Sequence, residues 1–262
     1  MSLEQAEGSR RAFAAVIMAA GKGTRMKDPN RAKVMYELQG KPMVHYVVDL
    51  AFGLKARPVV VVVGYQSDVV TSYVQAEHPQ AVCVLQEEQL GTGHAVMQSE
   101  SALAAFEGDV LVLSGDVPLL TVATIDRMLA LHRKTDAVAT ILTAELPDPT
   151  GYGRIVRQHD GFVQKIVEHR DADADQLAIR EINSGIYVFD KKGLFDGLKH
   201  LSAHNAQNEY YLTDVFEYFW RHHGKVSALM APHPDEIRGV NTLVQLEEAR
   251  AVAEPFVKGE RS

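Results

Sequence analysis

One cysteine in 262 residues is too few for an intrachain disulfide and too few for a thiolate metal cluster. Cys83 lies within the apolar stretch Ala81-Val-Cys-Val-Leu85, so it reads as a core residue rather than a nucleophile, and its isolation fits a reducing, cytoplasmic setting. Long apolar runs are also missing. None approaches the ~20 residues of a membrane span. The first ten residues, Met1 to Arg10, lack the apolar centre of a secretion signal, and residues 1–12 read as a flexible tail. Positive charge is in deficit: 27 Lys and Arg against 34 Asp and Glu leave a net charge of −7. Nucleic acid and membrane surfaces are therefore not expected partners, and an anionic ligand has to be held by locally gathered cations.

Several catalytic signatures are absent as well. The eleven histidines include no His-Glu-x-x-His, and His222 and His223 are adjacent, so they cannot share a helix face; solvated surface is the expected state of these rings. No Gly-x-Ser-x-Gly elbow supports a serine nucleophile. The opening glycine-rich segment, Ala19-Ala-Gly-Lys-Gly-Thr-Arg25-Met26, lacks the third glycine of a dinucleotide fingerprint and the early glycine of a P-loop.

What that segment does have is an apolar run, Phe13 to Met18, emptying into two glycines with Lys22, Arg25 and Lys33 close behind. Backbone amides freed by glycine and flanked by cations suit a polyphosphate, although a plain turn is the simpler alternative. Further along, short β-branched runs alternate with helix-like segments. Strands are predicted over Phe13–Met18, Pro58–Val63, Ala81–Leu85 and Val110–Leu113, and helices over Pro42–Phe52, Ser67–Glu77 and Thr92–Phe106. This is the pattern of an α/β protein with a Rossmann-like, mostly parallel sheet flanked by helices.

Beyond a helix from Thr121 to Lys134 and a strand over Ala137–Thr143, the alternation breaks. Leu146–Gly153 is rich in turn residues, and Arg154–Arg157 with Gly161–Val167 has hairpin character, predicting an inserted β-rich region. The pattern resumes with a strand over Ile182–Phe189, a helix from about Leu212 to His223, a strand over Val226–Met230 and a last helix after Asn241.

In an open α/β sheet the ligand lies beyond the carboxyl ends of the strands. Three segments fall there: the Ala19–Arg25 loop, Gln86 to Gly93, and Ser114-Gly-Asp116-Val-Pro118. Gln86 can read a base edge, and Gly91 and Gly93 free backbone amides. Asp116 could cap the helix near Thr121, or it could supply an oxygen to Mg²⁺, which is commonly held by one or two protein oxygens together with substrate phosphate. Direct displacement at phosphorus needs no protein nucleophile, only alignment and charge neutralisation.

Taken in order, Ala19–Met26, Gln86-x-x-Gln-Leu-Gly-Thr-Gly-His-Ala95, Gly115-Asp-Val-Pro-Leu119, Asp148-Pro-Thr-Gly-Tyr-Gly-Arg-Ile155, Ile166-Val-Glu-His169, Glu181-Ile-Asn-Ser-Gly-Ile186, Asn205-Ala-Gln-Asn-Glu-Tyr-Tyr-Leu-Thr-Asp214 and Gly239-Val-Asn241 resemble the N-terminal uridylyltransferase (pyrophosphorylase) domain of the bacterial bifunctional GlmU family. The likeness covers roughly residues 13 to 250 and implies a nucleotide-diphospho-sugar transferase fold. One domain over 13–255 is expected: a nucleotide-binding part to about 120, a sugar-binding part from about 121 to 240, and a C-terminal helix over 241–255.

The resemblance implies transfer of UMP from UTP to N-acetylglucosamine 1-phosphate, with Mg²⁺ as cofactor, in the cytoplasmic supply of UDP-N-acetylglucosamine for peptidoglycan and lipopolysaccharide. It implies that Ala19, Ala20, Gly21, Gly23, Gln86, Gly91 and Thr92 bind the nucleotide and that Arg25 and Lys33 act catalytically on the phosphates. Asp116 and Asn241 would hold Mg²⁺, while Gly153, Glu168, Asn183, Tyr211 and Thr213 would line the sugar pocket. Two alternatives stay open: another sugar 1-phosphate such as glucose 1-phosphate, or a catalytically silent nucleotide-sugar-binding regulator. Three departures stand out. Ala32 replaces the family's usual proline before Lys33 and is expected to loosen that segment; Ser184 stands where threonine is common; and the likeness does not extend to an acetyltransferase half.

Overall fold

The computed structural model describes residues 11–257 apart from Lys27 and Pro29. Of the tail expected over residues 1–12, the first ten lie outside the described residues, while Arg11 is paired with Asp109 at 3.2 Å and Asp190 at 2.8 Å.

The chain opens with β1 (Phe13–Ala19), a small hairpin of β2 (Glu37–Leu38) and β3 (Lys41–Pro42), and α1 (Met43–Gly53). Then come β4 (Val59–Val63), α2 (Ser67–Glu77), β5 (Val82–Leu85), α3 (Thr92–Met97) and β6 (Asp109–Ser114). The second half comprises α4 (Val122–Thr135), β7 (Ala139–Glu145), the hairpin β8 (Arg154–Arg157) and β9 (Val163–Val167), and a short α5 (Ala174–Leu177). It closes with β10 (Glu181–Asp190), α6 (Lys191–Leu198), α7 (Asp214–Arg221), β11 (Val226–Met230) and α8 (Leu243–Val257).

Among the described residues the main sheet has nine strands, with the central order β11-β7-β10-β6-β1-β4-β5. β1 runs parallel to β4 and β6, β4 to β5, and β11 to β7, so the carboxyl ends of β1, β4, β5 and β6 share one rim. β10 alone in the central order is antiparallel to its neighbours β6 and β7. The chain leaves β7 at the rim, builds the β8–β9 hairpin there and re-enters the sheet from that side, so β10 has to run the other way. Its amino-terminal end, with Asn183, thereby joins the same rim.

Alternate residues of the buried strands serve opposite faces. Ala15, Ile17, Val59, Val61, Leu111 and Leu113 pack under residues of α1, α2 and α4. Val16, Val60, Val62, Val110 and Val112 pack under α3, α6 and α7. A third cluster joins Met26, Leu38, Met43 and Leu119 to Leu246, Ala249 and Ala253 of α8. Met26 is fully buried, and burying such a side chain contributes ~1.5–3 kcal/mol, which fastens the first glycine loop to the C-terminal helix.

Two helices differ from expectation. The helix predicted over Thr92–Phe106 ends at Met97, where the buried Ser99 hydroxyl donates to the Val96 carbonyl at 2.6 Å and the chain tightens into a 3₁₀ turn at Ser101–Leu103. α6 goes unread in the sequence because Gly193 and Gly197 depress helix propensity. Packing explains both glycines: a Cβ would sit 2.4 Å from Val138 Cγ2 at Gly193 and 3.1 Å from Phe219 Cε1 at Gly197.

Candidate active site

Four charged or polar side chains meet where β1 and β6 end. Lys33, opening a 3₁₀ turn over Lys33–Met35, donates from Nζ to Asp116 Oδ2 at 2.5 Å and to Asn241 Oδ1 at 3.1 Å. Arg25 Nη2 donates to the same Asn241 oxygen at 3.1 Å. Asp116 Oδ1 accepts from the Ser114 hydroxyl at 2.6 Å, and the Asp116 carbonyl accepts from the Val240 amide at 2.9 Å. Burial alone would raise the Asp116 pKa, but the Lys33 ammonium and these hydrogen bonds overcome it and hold the carboxyl below its ordinary value. Asp116 does not cap the following helix: Thr121 does, accepting from the Thr124 amide at 3.2 Å.

Gly23 and Gln66 explain how Lys33 is presented. Gly23 has φ +66°, and a Cβ there would lie 2.5 Å from Lys33 Cβ, so this glycine makes room for the lysine stem. Gln66 grips the stretch before it, accepting from the Ala32 amide at 2.7 Å through Oε1 and donating to the Asn30 carbonyl at 2.7 Å through Nε2. Ala32 is fully buried with φ −60°. The loosening expected from the missing proline is therefore not what the structure shows. Gln66 is not legible in the sequence, because a glutamine that serves backbone 34 residues away leaves no local pattern.

Ala19, Ala20, Gly21, Lys33, Gln86, Gly91, Thr92 and Asp116 together line a cavity of about 240 Å³. Gly23 and Arg25 stand outside it, the first behind Lys33 and the second exposed beside Asn241. Buried Gln86 donates from Nε2 to the Gly91 carbonyl at 3.1 Å and lies 3.0 Å from His94 Nδ1, so its amide is fixed in orientation. Gly91 adopts φ +110°, and a Cβ there would meet the Tyr210 carbonyl at 2.6 Å. The Gly93 amide donates to that carbonyl at 2.8 Å, the Tyr210 amide to Leu90 at 2.8 Å, and the Leu212 amide to Thr92 Oγ1 at 3.1 Å. Two motifs more than a hundred residues apart thus interlock backbone to backbone.

Past that joint, Thr213 Oγ1 donates to Glu168 Oε1 at 3.0 Å, and the Asn183 amide donates to the Gly153 carbonyl at 2.9 Å. Asn183 Nδ2 donates to the Tyr187 hydroxyl at 2.8 Å, and Gln207 Nε2 to the Tyr211 hydroxyl at 2.8 Å. A Cβ at Gly153 would sit 3.5 Å from both Asn183 Cβ and Glu168 Oε2, which shows how closely the three approach. Glu168 and Tyr211 line a second cavity of about 610 Å³ together with Asp171, Asp214 and Glu217. Burial raises the Glu168 pKa against the Thr213 hydrogen bond, and burial with the neighbouring Glu168, Glu217 and Asp171 pushes Asp214 up to about 6.

Two expectations about single residue types need correction. His45 and His132 are buried rather than solvated, at 4% and 2% exposure, because each sits on the inward face of its helix. Cys83 is half-buried against the core, and burial raises its thiol pKa, which disfavours the reactive thiolate. As a donor set for Mg²⁺, the Asp116 carboxylate and the Asn241 amide oxygen are hard oxygens at one point, already holding the Lys33 ammonium as a stand-in cation. They fit that ion. No helix among the described residues is long and apolar enough to cross a membrane.

Residues 14–233 match the nucleotidyl transferase family. Bifunctional protein GlmU of Halalkalibacterium halodurans is 49% identical over 238 residues, covering 91% of this chain and 51% of the relative. Those of Geobacillus thermodenitrificans and Lactobacillus delbrueckii subsp. bulgaricus are 48% and 45% identical, covering 91% and 90% of this chain and 51% and 50% of the relatives. The chain spans about half the length of these relatives. In fold it is similar to a crystallised UDP-glucose pyrophosphorylase complexed with UDP-glucose: the TM-score is 0.75 at 18% identity, covering 95% of this chain and all of the other.

Proposed function

This chain belongs to the nucleotidyl transferase family, and from that premise we propose that it joins UTP and N-acetylglucosamine 1-phosphate into UDP-N-acetylglucosamine, releasing pyrophosphate. The observation that carries this reading is the convergence of Arg25, Lys33, Asp116 and Asn241 beside a cavity that Lys33, Asp116, Gln86 and Glu209 line, with the segment after Glu209 bonded to the Leu90–Gly93 stretch of the same cavity. Cations and hard oxygens serve the triphosphate; the segment beyond serves the sugar.

In this scheme Ala19, Ala20, Gly21, Gly91 and Thr92 seat the nucleoside, and the fixed Gln86 amide reads the uracil edge. A phosphate oxygen of the sugar 1-phosphate attacks the α-phosphorus in line as the bond from that phosphorus to the bridging oxygen of the β-phosphate breaks. Negative charge then gathers on the departing pyrophosphate, where Arg25 and Lys33 offset it. Mg²⁺, held by Asp116 and Asn241, would supply Lewis-acid stabilisation of that charge. On the hairpin side Gly153, Glu168, Asn183, Tyr211 and Thr213 would hydrogen-bond the sugar hydroxyls and the N-acetyl group. The division into a nucleotide part to about residue 120 and a sugar part beyond it, and a cytoplasmic setting, belong to the same reading.

Glucose 1-phosphate is the second reading, since a UDP-glucose pyrophosphorylase shares the fold. Relatives at 45–49% identity weigh more than a fold shared at 18%, and they favour the N-acetylated sugar. A silent sensor would have no need of the intact Lys33–Asp116–Asn241 contact. The test is pyrophosphate release from UTP and Mg²⁺ with each sugar 1-phosphate. Clear preference for N-acetylglucosamine 1-phosphate in kcat/KM is expected, because a pocket built to hydrogen-bond an amide leaves its partners unpaired when the amide is missing. Equal values would favour the glucose branch, and no release with either would favour the sensor.

A further inference from the structure

Away from the crevice, His45 and Asp49 lie four residues apart on α1 and so share a helix face, and His78, just after α2, closes on both. We propose that His45, Asp49 and His78 form a second metal site, selective for a transition-metal dication such as Zn²⁺ over Mg²⁺. One ligand atom from each residue lies within 4.8 Å of the others. His45 Nε2 is 3.0 Å from Asp49 Oδ2, and His78 Nε2 is 2.6 Å from Asp49 Oδ1. Two imidazole nitrogens and a carboxylate form the three-ligand set of an open zinc site, needing metal–ligand distances of about 2.0–2.2 Å and hence a slight parting of His78 from Asp49. Mg²⁺ prefers oxygen, so the nitrogen donors set this site apart from Asp116 and Asn241.

The state of His78 is what points to a ligand. Its Nε2 is sealed from solvent and has no hydrogen-bond partner, because the nearby Asp49 oxygen is close without being aligned. The ring is held in that pose by stacking on Phe52, with centroids 4.8 Å apart and planes 9° from parallel. A metal would give that nitrogen the partner it lacks. His45 is supported from behind: its Nδ1 lies 3.2 Å from the Tyr73 hydroxyl and 3.8 Å from Glu77 Oε2, the outer contacts that orient a ligating imidazole. Lys41 Nζ now sits 2.6 Å from His45 Nε2, on an exposed side chain free to swing away, and so competes for the ligand. His45 and Asp49 open onto a cleft of about 710 Å³, which gives an ion its entry path. The ligand set escapes the usual sequence patterns because one member comes from the residue that follows a different helix.

The full chain, stripped with chelator and held in saturating Mg²⁺, is titrated with Zn²⁺ by calorimetry and with Co²⁺ by visible absorption. Tight binding of one ion per chain is expected, weakened about tenfold or more in both His78→Gln and Asp49→Asn, each of which removes a ligand without emptying a fully buried position. Lys41→Met should strengthen it, and Asp116→Ala should leave it unchanged. Equal Zn²⁺ affinity in wild type and His78→Gln, with matching circular dichroism, would assign binding to other histidines such as His200, His204 and His222 and overturn the proposal. So would loss of binding in Asp116→Ala, or no binding by wild type.

Discussion

The two cavities, one at the β1–β6 end and one at the hairpin end, are built with contrasting electrostatics. At the β1–β6 end two cations, Arg25 and Lys33, close on Asp116 and Asn241, and the carboxylate is held ionised. At the hairpin end Glu168, Asp171, Asp214 and Glu217 outnumber Lys165 and Arg221, of which Arg221 pairs with Glu217 at 2.8 Å; among the described residues no lysine or arginine is bonded to Glu168 or Asp214, and burial pushes both of those carboxyls toward their neutral forms. On the proposed reading a triphosphate would be drawn to the first and repelled from the second, while a neutral sugar ring would be indifferent to the repulsion and could use the hydroxyl, amide and carboxyl partners. On that reading the difference would orient the substrates before any individual contact does. It also implies a cost: the β1–β6 end is already satisfied internally, so a ligand there has to displace existing bonds.

The largest effect is expected from breaking the charged end. Asp116→Ala removes the ionic oxygen and leaves Lys33 with Asn241 alone, so Mg²⁺-dependent turnover should fall by about 10²–10³-fold, while the fold persists. Steady-state pyrophosphate release across a Mg²⁺ series checks this; turnover near wild type at ordinary Mg²⁺ would remove Asp116 from the metal role.

Next in size is a change at the hairpin end. Glu168→Gln keeps the shape but exchanges an acceptor for a donor beside Thr213. The kcat/KM for the sugar phosphate should drop about tenfold, in line with one mismatched hydrogen bond, with UTP affinity by calorimetry unchanged. A parallel loss of UTP affinity would show that the two ends are not separable in this way.

The charged end was partly legible in the sequence. Gly21, Gly23, Lys33 and Asp116 announce themselves because glycine loops and strand-end acids are local patterns, and parallel strands bring their ends to one rim. Asn241 is legible only through the family resemblance. Its place depends on α8 packing over Met26 and Leu119, a contact between chain ends that no local periodicity encodes. At the hairpin end almost nothing could be read from composition, since Gly153, Glu168, Asn183 and Thr213 meet through tertiary hydrogen bonds. The antiparallel course of β10 was hidden for a related reason: a buried strand has the same composition in either direction.

A smaller effect tests how Lys33 is held. Ala32→Pro suits the local φ of −60° but deletes the amide that donates to Gln66. With Gln66 Oε1 left unpaired, UTP affinity should stay level or weaken by about 1 kcal/mol, despite the family's usual proline. Calorimetry on the two forms decides; tighter binding in the variant would mean that chain entropy outweighs the lost hydrogen bond.

The smallest effect concerns stability. The Asp214 carboxyl is raised from 3.8 to about 6 in the folded chain, so between those values the native state holds the proton more firmly than the unfolded state. By this group alone, stability is greatest below pH 3.8 and declines as pH rises through about 6. Asp214→Asn removes that decline. Relative to wild type it should gain on the order of 1 kcal/mol between pH 4 and pH 8, discounted for partial solvent screening. Urea unfolding at the two pH values measures it, and an equal difference at both would assign the acidic cluster no pH-dependent strain.

In the proposed reaction the protein works by position and charge, and the sugar phosphate itself attacks the nucleotide. The most direct measurement uses UTP carrying a chiral α-thiophosphate and determines the configuration at phosphorus in the sugar nucleotide formed. A single in-line displacement predicts inversion. Retention would mean two displacements through a nucleotide bound covalently to the protein, and would contradict the account.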